Sequence, residues 1–169
     1  MFPLVVSLLS LLFLAASSLS APTTQYGTIT APASGTAVMP GANFTFSYFP
    51  HADYGISSFA YQVWLLAVPA AAGGVEQLSF STPGVSGYYF GRFDYPNYPA
   101  VPYAQNPAPP QLTMPDFSKM PAGWAAGETA SNLSMQLTVV EEWGDSTPTV
   151  GRQLSVASAI IMYNATSTA

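Results

Sequence analysis

Apolar and polar side chains alternate with a period of two along much of this chain. No stretch sustains a 3.6-residue apolar period with helix caps. Residues 43–49 show the pattern most cleanly, with Phe44, Phe46 and Tyr48 on one face and Asn43, Thr45 and Ser47 on the other. Residues 57–68 repeat it, setting Phe59, Tyr61, Val63 and Leu65 against Trp64. In 132–142, Leu133, Met135, Leu137 and Val139 point inward, while Asn132, Ser134, Gln136 and Thr138 point outward. The last strand, 150–163, changes apolar register between Leu154/Val156 and Ile160-Ile161-Met162, which predicts a bend or bulge near 155–158. Shorter strands are predicted at 27–30, 38–39, 75–80, 88–93 and 111–114. Turn chemistry separates them at 31–35, 40–41, 70–74, 82–84 and 143–146. Residues 116–124 read as irregular, with one helical turn.

Short strands with frequent turn signals predict an all-β fold, a single antiparallel β-sandwich over residues 21–169. A small β-barrel is the alternative, since closure also hides strand edges. There is no internal repeat.

One stretch departs from this rhythm. Residues 88–117 are dense in tyrosine, phenylalanine and proline and nearly free of charge. Proline fixes φ and lacks an N–H, so only 88–93 reads as strand. From Asp94 onward the sequence predicts a long ordered loop of extended and turn segments, because disordered segments are poor in aromatic residues.

Residues 1–20 are uncharged and apolar, ending in small residues at Ser18 and Ser20, which predicts a signal peptide cleaved after Ser20. The segment has no Lys or Arg ahead of its apolar run and is short for a membrane span. Asn43, Asn132 and Asn164 each open an N-x-Ser/Thr glycosylation acceptor. The expected location is extracellular, with no membrane span after signal cleavage. The absence of cysteine means that no disulfide staples the domain and no thiolate chemistry is available. A net charge of −5 disfavours nucleic acid and anionic membranes as partners. The C-terminal residues carry no hydrophobic tail, so no tail-exchanged lipid anchor is expected.

Residues 29–48 fit the pattern I-x-x-P-x-x-G-x-x-x-x-P-G followed by an alternating strand, from Ile29 through Pro32, Gly35, Pro40 and Gly41 to Tyr48. This resembles the opening of an immunoglobulin-like domain in fungal cell-wall proteins. These are the Ser/Thr-rich glycolipid-anchored membrane family and the family associated with beta-glucan assembly. Residues 87–103 and 106–117, with Val139–Asp145, resemble small secreted fungal proteins. The resemblance implies a secreted immunoglobulin-like β-sandwich from a fungus, placed outside the cell or at its wall, and no catalytic residue. The chain lacks the Ser/Thr-rich stalk of the first family, so attachment by that route is not expected.

Few constellations here carry chemistry. His51, the single histidine, lies in a turn with Asp53 too close in sequence to orient it; it reads as a solvated turn residue. Cleavage exposes Ala21, which excludes a copper site built on an N-terminal histidine. Glu141 and Glu142 are adjacent in a strand and point to opposite faces, so they do not form the carboxylate pair of a glycosidase. They read as a strand end finishing in solvent. Asp94, Asp116, Glu142 and Asp145 show no calcium-loop spacing. Neither a catalytic residue, a metal nor a cofactor is expected.

Aromatic side chains in a proline-stiffened loop suit stacking against the apolar faces of sugar rings. Tyr95, Tyr98, Tyr103 and Trp124 are the candidate carbohydrate-binding residues. Two readings of function follow. One is a non-catalytic extracellular structural or interaction protein, partnered by another extracellular protein. The alternative is a module binding cell-wall polysaccharide through the 94–124 region. A glycoside-active enzyme is the weakest third.

Overall fold

The computed structural model describes residues 26–67, 86–97, 100–119, 131–145 and 151–165. The predicted signal peptide, the strand at 75–80 and the turns at 70–74 and 82–84 lie outside the described residues.

Among the described residues nine strands form in chain order: β1 (Thr28–Ala31), β2 (Thr36–Val38), β3 (Asn43–Thr45), β4 (Ser47–Phe49), β5 (Ile56–Ala67), β6 (Ser86–Phe93), β7 (Gln111–Thr113), β8 (Leu133–Asp145) and β9 (Gln153–Tyr163). A single 3-10 turn, Phe117–Lys119, follows β7. None of the described helical segments is long and apolar enough to cross a membrane.

The main layer is a five-stranded sheet in the order β2-β9-β8-β5-β6. Its strands are antiparallel except β2, which runs parallel to β9 with Thr36 opposite Ile161 and Val38 opposite Tyr163. Opposite it lie two short antiparallel ladders, β1-β4 and β3-β7. The predicted strand at 43–49 is there, with every predicted face correct, yet it changes partner halfway. The break falls at Phe46, whose N–H donates to the Pro110 carbonyl at 3.0 Å.

Phe44, Phe46 and Tyr48 from the ladders meet Tyr61, Val63, Leu65, Leu137, Val139 and Ile161 from the main sheet. Full burial of each large apolar side chain contributes about 1.5–3 kcal/mol before ordering entropy is subtracted. The architecture is therefore all-β, its layers packed face to face as in a sandwich or a flattened barrel.

Three strand details differ from the sequence pattern. Gln136 and Thr138, expected outward in solvent, are buried at 3% and 0% exposure. They do face away from the core, but β8 is a central strand: Thr138 is flanked by Trp64 and Ser158, and Gln136 by Leu66 and Ile160. Second, β9 pairs with β8 without a register shift from Tyr163 to Gln153, so the expected bulge near 155–158 is absent from that ladder. Small residues at 155–159 blur the apolar pattern there, and Ile160 and Ile161 simply face opposite ways. Third, extra residues occur where the pattern predicts none: Phe59 of β5 in the ladder with β8, and Phe90 of β6 in the ladder with β5. Phe59 is thereby shifted off the Tyr61 face, and its ring meets Gly144 and Arg152 instead.

Candidate functional site

The chain leaves β6 at Phe93 and returns on itself before β7. Asp94 organises the return: its Oδ2 accepts the N–H groups of Gln105 and Asn106, each at 3.1 Å. Its own N–H donates to the Asn106 carbonyl at 2.9 Å, and the Asn106 amide reaches back to the Arg92 carbonyl at 2.5 Å. Within the return, Asn97 and Val101 exchange backbone hydrogen bonds at 2.8 and 2.7 Å. The Asn97 amide also donates to the carbonyls of Ser58, on β5, and of Tyr95.

This segment forms one wall of a groove of about 270 Å³. The groove is lined by Asp94, Tyr95 and Pro96, by Pro107 to Pro110, by Phe46, Ser47 and Tyr48, and by Tyr61. Prolines make good groove walls, because they are rigid, apolar and lack an N–H that needs a partner. The volume sits just under the range of about 300–1,000 Å³ usual for small-molecule sites. That size suits one or two rings.

The floor has unusual electrostatics. Tyr48 and Tyr61 pack with ring centroids 4.9 Å apart. Burial, then the charge near Tyr95 and Glu141, pushes the Tyr61 hydroxyl up to about 12. Tyr48 rises further, through burial and then its bond to Glu141. The Tyr61 hydroxyl therefore stays protonated across the physiological range, while the Tyr48 proton is already committed to Glu141.

Below the floor, Glu141 is fully buried. Its Oε2 accepts the Tyr48 hydroxyl at 2.6 Å, and its two oxygens share the backbone N–H of His51 at 2.9 and 3.1 Å. This corrects the solvent-facing strand end expected from sequence. His51 is corrected too: it is 6% exposed, its ring edge-on to Trp143 at 4.5 Å and to Tyr26 at 5.9 Å. The turn is drawn inward because Glu141 needs a donor and the ring fills the end of the core. Glu142 does point the other way, as alternation requires, and there it holds Arg92 and Arg152.

The four predicted binding residues are not brought into one row. Tyr95 lines the groove, half-buried and packed on the core. Tyr103 is 80% exposed and does not line it. Tyr98 and Trp124 lie outside the described residues. Sequence reasoning missed Tyr61, Tyr48 and Phe46 as groove residues, since an inward-facing position reads as core. The Pro107 to Pro110 run was the visible signal for the opposite wall.

Two of the three acceptor asparagines, Asn132 and Asn164, meet at the other end, and Asn43 lies on β3 three residues before the groove residue Phe46. Asn132 precedes β8 in a left-handed conformation (φ 54°), and its N–H donates to the Asn164 carbonyl at 3.1 Å. Asn164, also left-handed (φ 49°), donates its N–H to Val38 at 2.9 Å. Asn43 follows the adjoining turn, and its Oδ1 accepts the Thr113 hydroxyl at 2.7 Å. From Leu133, β8 runs about 26 Å before reaching Glu141 at the groove end.

Among the described residues no three His, Cys, Asp or Glu side chains come together as a metal cluster. Comparison of the chain with protein-family models, curated proteins and solved structures found no match.

Proposed function

We propose that this is a secreted, N-glycosylated, non-catalytic binding module of immunoglobulin-like topology, and that it takes a neutral sugar unit of cell-wall polysaccharide in the groove. The observation that carries the reading is the groove itself, whose lining combines Tyr95, Pro96 and Pro107 to Pro110 with the Tyr61 and Tyr48 side chains. Flat apolar walls suit the C–H faces of a sugar, and the protonated Tyr61 hydroxyl supplies a donor for its hydroxyls. The meeting of Asn132 and Asn164 at the far end supports it, because glycans on these two leave the groove open. The immunoglobulin-like assignment is supported by the strand order, with an early strand parallel to the last and β1 paired to β4 in the opposite layer. The non-catalytic reading is supported by the carboxylates, since Glu141 is sealed in the core and Glu142 is tied to two guanidiniums.

The test is a pull-down of the purified glycoprotein on insoluble chitin, beta-glucan and cellulose, with Tyr95→Ala beside the native chain. Retention on one polymer that disappears in the folded variant is the expected result. No retention on any of the three overturns the sugar reading and leaves an extracellular protein as the partner. Retention that Tyr95→Ala does not reduce moves the site off the groove.

A further inference from the structure

The strand ladder that carries Asn43 runs into the groove. Asn43, Phe44 and Thr45 of β3 pair with Thr113, Leu112 and Gln111 of β7. One step further along, the Phe46 N–H donates to the Pro110 carbonyl at 3.0 Å, and Phe46 and Pro110 both line the groove. Alternation continues through this stretch, so Asn43, Thr45 and Ser47 share one exposed face, and Ser47 is itself a groove residue. At the rise of a strand, Asn43 lies about 7 Å from Thr45 and about 14 Å from Ser47.

The Asn43 side chain is poised for a glycan. Its Oδ1 accepts the hydroxyl of its cross-strand partner Thr113 at 2.7 Å, which fixes the plane of the amide. This bond engages Oδ1 and leaves Nδ2, the nitrogen that carries an N-linked glycan, outside it. In glycosylation Nδ2 forms a bond to the anomeric carbon of a lipid-pyrophosphate oligosaccharide, the pyrophosphate leaves with the electron pair of the broken C–O bond, and Nδ2 gives up one proton. Oδ1 is untouched, so the Thr113 bond survives and orients the new linkage. Asn164, by contrast, donates its Nδ2 to the Ser131 hydroxyl at 3.0 Å. On the exposed face between Asn43 and the groove lie Thr45 and its partner Gln111, both uncharged and able to hydrogen-bond sugar hydroxyls. β3, β4 and β7 carry no charged residue.

We propose that the glycan on Asn43 is the groove's own competing ligand, an inference that rests on the groove being a site for neutral sugars. The glycan runs over Thr45 and Gln111, and one of its units occupies the groove lined by Tyr95 and Pro107 to Pro110. A short flexible tether holds its end group at an effective concentration of about millimolar. That fills a weak single-sugar site part of the time, and it yields to a long polymer that offers many units. The glycan thereby sets the threshold for polysaccharide binding, and its trimming or loss lowers that threshold. The glycans on Asn132 and Asn164 start from the other end of the molecule and have no such path.

The experiment compares the native glycoprotein with Asn43→Gln, Tyr95→Ala and the double variant. Thr45→Ala removes the acceptor sequence while keeping Asn43, and is a second route to loss of the same glycan. The first readout is the urea unfolding midpoint of each protein, with no sugar added. A docked glycan makes the two substitutions non-additive: Tyr95→Ala is expected to lower the midpoint less once the glycan is gone. The second readout is retention on insoluble chitin, beta-glucan and cellulose, where both glycan-free variants are expected to bind roughly threefold tighter or more. Additive midpoints overturn the inference, and so does measurable retention that loss of the glycan leaves unchanged. Either result leaves the groove reading standing wherever Tyr95→Ala abolishes retention. Non-additive midpoints with no retention of any form overturn the polymer reading instead, and leave the Asn43 glycan as the ligand of the groove.

Discussion

Tyr48 and Glu141, 93 residues apart, meet across the core in a 2.6 Å hydrogen bond. The bond joins β4 in one layer to β8 in the other, at the end where the groove opens. A buried carboxylate is tolerated only when its oxygens are occupied. Here the Tyr48 hydroxyl and the His51 N–H do this.

Replacing Glu141 by Leu leaves both donors buried without an acceptor. The expected loss is about 1–3 kcal/mol for each orphaned donor. Glu141→Gln retains one acceptor oxygen and should lose less. Urea unfolding of the two variants, read by tryptophan fluorescence, checks the order: equal stability of Leu and native proteins would contradict it.

Gly27 lies over this bond. A methyl group there would sit 1.9 Å from the Tyr48 hydroxyl oxygen and 2.5 Å from Glu141 Oε2. Gly27→Ala is therefore expected to destabilise by about 1–3 kcal/mol, as overpacking does. Combining it with Tyr48→Phe should relieve part of that loss, and a double-mutant cycle measures how much.

Alkaline stability should reflect Tyr61. Its hydroxyl titrates near 10.0 when unfolded and near 12 when folded. Between those values the folded state holds the proton that the unfolded state has released. The stabilising contribution is complete below pH 10 and is lost as pH rises through 12. Unfolding midpoints measured from pH 8 upward should fall above pH 10, and Tyr61→Phe should make that fall shallower.

Glu142 acts in the opposite direction. Its bonds to Arg92, then the Arg92 charge and Arg152, hold its carboxyl below the usual range against the opposing effect of burial. The contribution is present above the ordinary carboxylate pKa and disappears as pH falls through the depressed one. Because both arginines are substantially exposed, Glu142→Gln is expected to cost at most about 1 kcal/mol at neutral pH and nothing in strong acid.

The loop anchor can be tested on its own. Asp94→Ala removes the acceptor for the N–H groups of Gln105 and Asn106. Limited proteolysis should then cut the 100–106 segment faster, while the core strands stay protected. Unchanged cleavage would mean that Asn97 and the prolines alone hold the segment.

Alternation along the chain was enough to assign the inner faces of β4 and β8 and that of β5 from Tyr61 onward, because successive Cβ atoms point to opposite sides of a regular strand, and it failed at Phe59, where a bulge breaks the period. The same rule separated Glu141 from Glu142. Proline and glycine marked where strands stop, since they act on the local backbone. What pairs with what was decided elsewhere. β2 joins β9 in parallel, β3 and β4 part at Phe46, and β8 takes the centre of the sheet, where even Thr138 and Gln136 are covered. These are contacts between residues tens of positions apart, and a local pattern carries no record of them. For that reason Glu141 and His51 looked solvent-facing in the sequence. Only the closing of one layer on the other buries them, and the same closure turns Tyr61 and Tyr48 from core residues into the floor of a groove.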